Sequence, residues 1–262
     1  MEKNMLIAIN IGNSSINMGF FEGEEPFVLQ LPTHPLRGVQ DYLGEIEKGL
    51  EKYGFTDRPG AAVLCSVVPT HTGTFEEALG LIVGARKKPL VIGYRSTRDM
   101  KFAVETPGDL GADRIAAAYG AWKLYGGPVA VVDAGTATTV NFVSFDGVFL
   151  GGAILPGLTL MRDSLSTGTA KLPIVELERV ERQKLLSPLG TTTSGSILAG
   201  IVYGTAGAVA RVLEEAELVR LEKSRVVLTG GHADLLAPYL KRLDYREPAL
   251  VLKGMRLIYL NA

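Results

Sequence analysis

The chain has 262 residues, 47% of them apolar and 21% charged, with a formal net charge of −1. This composition supports a sizeable core and excludes disorder as the ground state, and the near-neutral charge without a basic stripe argues against nucleic-acid binding. The single cysteine, Cys65, excludes an intrachain disulfide and fits a reducing, cytoplasmic setting.

In chain order, Met5–Ile11 is a nearly continuous apolar run ending in Gly12-Asn13, which predicts a buried strand and a turn. Ile16–Phe21 reads as the returning strand of a hairpin. Val39, Tyr42, Leu43, Ile46 and Leu50 recur at helical spacing. Ala62–Val68 is a buried strand closed by Pro69, with Cys65 as a structural thiol inside it. Phe75, Ala78, Leu79 and Ile82 predict a second helix, and Pro89–Ile92 a short strand. Tyr94–Leu110, poorer in pattern and holding Thr106-Pro107-Gly108, reads as a loop between lobes.

Ala112–Tyr125 reads as a helix. Pro128–Asp133 then starts the pattern again as a buried strand, with Thr138–Phe145 returning and Val148–Ala153 third. Ser194–Leu213 is a long Gly- and Ala-rich helical stretch. Val226–Thr229 is a strand, Gly230-Gly231 a turn and Ala233–Leu243 a helix. The first apolar run is too short for a signal peptide, and no stretch is expected to reach the ~18–20 apolar residues that cross a bilayer.

Alternating strands and helices define an α/β fold. The segment from Leu6 through Asn10 and Gly12 to Ser15 is repeated from Val129 through Asp133 and Gly135 to Thr138, 123 residues later. Such spacing is too long for a solenoid. It predicts duplicated lobes, each a mixed sheet with flanking helices, divided as 1–112 and 113–262 with a cleft between them.

A phosphate needs donors held close. Glycine at a turn lets backbone N–H groups approach an anion, and small hydroxyl residues add donors. Gly12-Asn13-Ser14-Ser15 and Gly135-Thr136-Ala137-Thr138-Thr139 both meet this requirement. Asp133, at the strand end before the second turn, suits a cation beside phosphates. Gly230-Gly231 follows a strand and opens a helix, which could admit a base or ribose. Gly111-Ala112-Asp113-Arg114 opens a helix. There Asp113 serves either the helix dipole or a general base, and Arg114 can pair an anionic substrate. No Gly-x-x-x-x-Gly-Lys-Ser/Thr run or Gly-x-Ser-x-Gly elbow exists. His34, His71 and His232 are scattered in sequence, which disfavours a zinc hydrolase.

Gly111-Ala-Asp-Arg114, Asp133-Ala-Gly-Thr-Ala-Thr-Thr139, Gly151-Gly-Ala-Ile-Leu-Pro-Gly157, Thr169-Ala-Lys-Leu-Pro173 and Leu252-Lys-Gly-Met-Arg-Leu257 occur in this order. With Ser66-Val-Val-Pro69 and Val227-Leu-Thr-Gly-Gly231 they make a chain that resembles the type III pantothenate kinases over nearly its whole length. The resemblance implies an actin-like (ribonuclease H-like) fold, a homodimer, and ATP-dependent phosphorylation of pantothenate in the first step of coenzyme A synthesis. It implies Asp113 as proton acceptor, with Gly111, Ala112, Arg114 and Thr193 contacting pantothenate. It implies ATP contacts at Thr136 and across residues 10–17, hence Asn10, Gly12, Asn13, Ser14, Ser15 and Asn17. Mg²⁺ accompanies ATP, and Asp133 would hold a monovalent cation such as K⁺ or NH₄⁺. No nucleic acid and no membrane are expected as partners.

The family usually has Asp at the position of Asn10, often Lys at Thr191 and Asp at Asn141, and in some members an aromatic residue at Val104. An amide carries no charge, so the first turn is expected to hold a cation more weakly. Two other readings stay open at this point: a non-catalytic regulatory or accessory relative, and a kinase for another small hydroxyl substrate.

Overall fold

The computed structural model describes residues 5–84, 88–181, 186–220 and 222–262. The chain packs as two units, one formed by Met1–Leu124 with Ala249–Ala262 and the other by Tyr125–Pro248. The division expected after residue 112 falls at the first residue of a helix that packs with the first unit.

In the first unit the elements are β1 (Leu6–Ile11), β2 (Ser15–Phe21), β3 (Phe27–Pro32), α1 (Val39–Lys52), β4 (Ala61–Ser66), α2 (Pro69–Val83), β5 (Leu90–Val91), β6 (Lys101–Phe102) and α3 (Ala112–Tyr125). Its sheet runs β3-β2-β1-β4-β5. β1 lies in the middle, antiparallel to β2 and parallel to β4. A central strand is covered on both faces, which explains why its sequence is apolar without alternation. Its isoleucines Ile7, Ile9 and Ile11 pack with Phe20 of β2, Ile46 of α1 and Leu79 of α2. The sequence expectations do not include β3, an edge strand with Phe27 and Val28 exposed and with Leu29 and Leu31 only partly buried against the core.

The second unit contains β7 (Val129–Ala134), β8 (Ala137–Val143), β9 (Val148–Pro156), α4 (Leu158–Thr167), α5 (Glu178–Glu181), α6 (Thr193–Arg220), β10 (Arg225–Thr229), α7 (Ala233–Leu236) and β11 (Tyr245–Arg246). The strands run β11-β10-β7-β8-β9, with β7 antiparallel to β8 and parallel to β10. Strand for strand this repeats the first unit, so the duplicated mixed sheets expected from the sequence are present.

Other elements also differ from expectation. The helix expected over Ala233–Leu243 stops at Leu236 and gives way to a 3₁₀ turn over Ala237–Tyr239. Pro238 has no N–H to continue the ladder. α4 went unread, although Leu158, Met161 and Leu165 are spaced on one helical face. α6 is longer than expected, and by length and composition it could cross a membrane (mean hydropathy 1.5), contrary to the sequence expectation. Half of that apolar stretch is buried in the protein. Its face bearing Ile197, Ile201, Val202 and Val209 is covered, and the helix packs on α4 and β8.

The last helix, α8 (Leu250–Leu260), belongs to the first unit and packs on β1, β4 and β2. It crosses α3 where two glycines meet: a Cβ on Gly120 would lie 2.9 Å from the Gly254 Cα, and one on Gly254 would overlap the Ala116 carbonyl. α3 is also tied to the segment before it. Tyr119 donates to Asp99 at 2.8 Å, and Lys123 pairs with the same carboxylate.

Candidate active site

The first turn joins β1 to β2. The Gly12 N–H donates to the Ser15 carbonyl at 2.9 Å, leaving Asn13 and Ser14 exposed at the tip. Asn10 sits at the end of β1, opposite Asn17 of β2 and Cys65 of β4. The Asn10 Oδ1 is buried and has no hydrogen-bond partner in the structure. A buried acceptor of this kind is costly unless something supplies a donor or a cation. Asn17 accepts from Gln30 Nε2 at 3.1 Å. Behind the turn, the buried Thr33 donates its hydroxyl to the Gly12 carbonyl at 2.7 Å and its amide to the Ser14 carbonyl at 3.2 Å.

Asp113 occupies the first turn of α3, where the helix dipole favours a negative charge. Its Oδ1 accepts the Arg114 backbone N–H at 2.7 Å. A Cβ on Gly111 would stand 2.7 Å from that oxygen and 3.6 Å from Val67 Cγ1. Gly111 therefore leaves the room that the carboxylate occupies. Burial pushes the Asp113 carboxyl above its ordinary range, and the Arg114 amide and guanidinium offset this only in part. Burial likewise pulls the Arg114 guanidinium down, against the pull of Asp113. Burial first, and the Asp113 charge second, push up the Cys65 thiol, so Cys65 is an inert core group.

The second turn joins β7 to β8, with the Gly135 N–H donating to the Ala137 carbonyl at 3.1 Å and Thr136 exposed at its tip. Two other segments converge on it, 157–159 and 230–232. Gly157, just before α4, donates to the Thr136 carbonyl at 3.2 Å. Gly230 has φ 98°, and a Cβ there would overlap the Asp133 carboxylate and come within 2.6 Å of the Ala134 backbone. Only glycine fits both that conformation and that space. The His232 N–H donates to the Ala134 carbonyl at 2.9 Å, and its Nε2 lies 3.2 Å from Thr159 Oγ1 in α4. Gly231 is exposed beside this corner.

The sequence-predicted residues thus fall into three groups. Asn10, Gly12, Asn13, Ser14, Ser15 and Asn17 share the first turn. Gly111, Ala112, Asp113 and Arg114 share the start of α3, beside Cys65 and Val67 at the end of β4. Asp133, Gly135, Thr136, Gly230 and Gly231 share the second turn. Thr193 opens α6 and lines a groove of about 280 Å³ with Met161, Leu165 and Ile197, to which no turn residue contributes. Of the departures, Asn141 is fully buried and donates to Thr139 Oγ1 at 3.0 Å, Thr191 is exposed and Val104 is half-buried. Thr33, His71, Thr159 and His232 escaped the sequence reading, because neighbours distant in sequence give them their roles.

The residues present suit hard cations. Asp133 offers a carboxylate and Asn10 an orphaned amide oxygen, both oxygen donors. Among the described residues no three His, Cys, Asp or Glu side chains cluster as a self-sufficient cage. At each turn taken by itself, this chemistry matches a cation that takes its remaining ligands from phosphates and water.

Two repeated sheets with glycine turns after their first strands define an actin-like, sugar-kinase-like fold. The ROK hexokinase of Thermus thermophilus has a similar fold, with a TM-score of 0.54 at 15% identity over 98% of this chain and 99% of that one. The family model for type III pantothenate kinase matches residues 6–215. The type III pantothenate kinase of Moorella thermoacetica is 38% identical over 257 residues, covering 97% of this chain and 98% of the relative. That of Dehalococcoides mccartyi (strain 195) is 35% identical over 256 residues, covering 97% and 96%. The chain belongs to the type III pantothenate kinase family.

Proposed function

We propose that this protein transfers the γ-phosphoryl group of ATP to the primary hydroxyl of pantothenate, opening coenzyme A biosynthesis, with Asp113 as the proton acceptor. Membership of the family makes it a phosphotransferase, and the observation that carries the assignment of roles is the half-buried Asp113. Its carboxylate lies against Gly111 and keeps a raised proton affinity. A carboxylate poised in this way suits general-base work near neutral pH. As the substrate oxygen bonds to phosphorus, the bond from phosphorus to the departing ADP oxygen breaks and the hydroxyl proton passes to Asp113. Arg114 pairs the pantothenate carboxylate, and Gly111, Ala112 and Thr193 border the acceptor.

The amides of the Gly12–Ser15 and Gly135–Thr136 turns take ATP phosphates, and Gly230-Gly231 lies against the nucleoside. Mg²⁺ travelling with ATP and a monovalent cation at Asp133 supply charge neutralisation when bound. Such a reaction needs positioning and charge compensation more than covalent help. The protein works in the cytoplasm as a homodimer. The test is formation of 4′-phosphopantothenate by purified protein with ATP, Mg²⁺ and K⁺, beside a panel of other hydroxyl acceptors. Product with pantothenate alone is expected, whereas a folded protein that phosphorylates another acceptor, or none, would defeat the assignment.

A second reading has one observation in its favour. The uncharged, unpartnered Asn10 oxygen suits a slow kinase or a nucleotide-binding regulator. Tight ATP binding without turnover, unchanged in Asn10→Asp, would select the regulator.

A further inference from the structure

Behind the first turn runs a buried hydrogen-bonded chain that the proposed chemistry does not use. Thr33, 0% exposed, takes both sides of the turn: its hydroxyl holds the Gly12 carbonyl at 2.7 Å and its amide the Ser14 carbonyl at 3.2 Å. The Thr33 carbonyl in turn lies 2.8 Å from Nε2 of His71, which is 1% exposed in the first turn of α2. A carbonyl only accepts, so this nitrogen carries the hydrogen. Nδ1 lies 3.1 Å from Thr70 Oγ1. Both ring nitrogens are therefore hydrogen-bonded.

The geometry has a directional result. A trans peptide sets its C=O and the following N–H on opposite sides. Holding the Gly12 carbonyl on Thr33 turns the Asn13 N–H away from the buried side, out toward the exposed tip.

We propose that Thr33, fixed by His71, is a positioning residue for the nucleotide: it orients the Asn13 amide to donate to a phosphate. This rests on reading the first turn as a phosphate site. Thr33 needs no contact with the ligand. Its hydroxyl acts through the Gly12–Asn13 peptide, and the histidine fixes the height and rotation of the Thr33 backbone. The chain thus links α2, which follows β4, to the turn between β1 and β2.

The experiment measures Kd for a non-hydrolysable ATP analogue and for pantothenate in wild type, Thr33→Val, Thr33→Ser and Gly12→Val. Thr33→Val keeps the shape and both backbone groups but leaves the Gly12 carbonyl without its buried donor. It is expected to weaken the ATP analogue by about tenfold, the scale of a lost buried hydrogen bond, with pantothenate unchanged and Thr33→Ser recovering most of the loss. A merely structural threonine would lower Tm and leave nucleotide affinity of the folded protein intact. If Thr33→Val binds the analogue like wild type while Gly12→Val loses it, the positioning role is overturned and the phosphate turn stands. If Gly12→Val also binds normally, the phosphate reading itself falls. A measurement on the unaltered protein covers the case in which Thr33→Val does not fold. Nitrogen-15 spectra of the histidines should show His71 as the Nε2–H tautomer, and an Nδ1–H tautomer would overturn the chain.

Discussion

The two units answer the same structural problem, a strand ending in a glycine turn, with different chemistry. In the second, the strand ends in Asp133, and glycines 157 and 230 from two other segments press against the turn. In the first, the strand ends in Asn10, no second glycine closes in, and a buried threonine holds the turn from behind. One turn carries a formal charge within a tight glycine corner. The other carries none and is set by hydrogen bonds to its carbonyls. On the proposed function, the second unit would supply charge and close approach, and the first oriented amides and the acid Asp113.

The largest expected effect comes from removing that acid. Asp113→Asn should lower kcat by roughly 10²–10⁴, the usual contribution of a general base. It should also stabilise the protein at neutral pH. The folded-state pKa of Asp113 is raised, so the native state binds the proton more tightly than the unfolded chain does. The ionised form therefore costs stability above the folded pKa, and this cost disappears below the unfolded value of ~3.9. A Tm difference between the two proteins that is present at pH 7 and shrinks on acidification would bear this out. A destabilised Asp113→Asn would contradict it. For the same reason, the acid limb of kcat/KM in the wild type should lie above the ordinary carboxylate range.

Gly230→Ala should come next, because it strikes the corner that distinguishes the second turn. The added Cβ meets the Asp133 carboxylate, and φ 98° is a region that L-residues avoid. A stability loss of about 1–3 kcal/mol in chemical denaturation is expected, together with a raised KM for ATP. Unchanged ATP affinity would show that this corner is structural only.

The smallest effect tests the contrast directly. Asn10→Asp makes the two strand ends alike. Apparent Mg²⁺ affinity in the presence of ATP should tighten by about tenfold, a modest share of the ~4 kcal/mol that two unit charges exchange at 4 Å in a partly buried site. No change in a metal titration would mean that the amide oxygen lies outside the reach of the cation.

The fold was readable where burial is complete. β1 and β7 announce themselves as continuous apolar runs because they are central strands, and the repeat of strand, Asn or Asp, glycine and hydroxyl exposed the duplication. The edge strand β3 was hidden because Phe27 and Val28 face solvent. The early end of α7 was written in Pro238, against an apolar pattern that pointed the other way. Of the candidate site, the glycines and acids were legible because each marks a local turn or helix start. The buttresses were not. His71 reads as an isolated histidine until β3 brings Thr33 to it, and His232 has no visible purpose until α4 presents Thr159. Their meaning lies in contacts 38 and 73 residues apart, which local patterns do not carry.

α8 sets an order on synthesis. It covers β1, β4 and β2, and its Leu252 would touch a Cβ built on Gly19, yet it follows the whole second unit in sequence. A ribosome that has finished α3 must add residues 126–249 before it reaches α8, on the order of ten seconds at ordinary elongation rates. Throughout that interval the early half emerges with an apolar sheet face awaiting its cover, while the contiguous later half can close as soon as it appears. Chaperones that shield greasy surfaces during translation should therefore engage the nascent early half and let go when the last helix arrives.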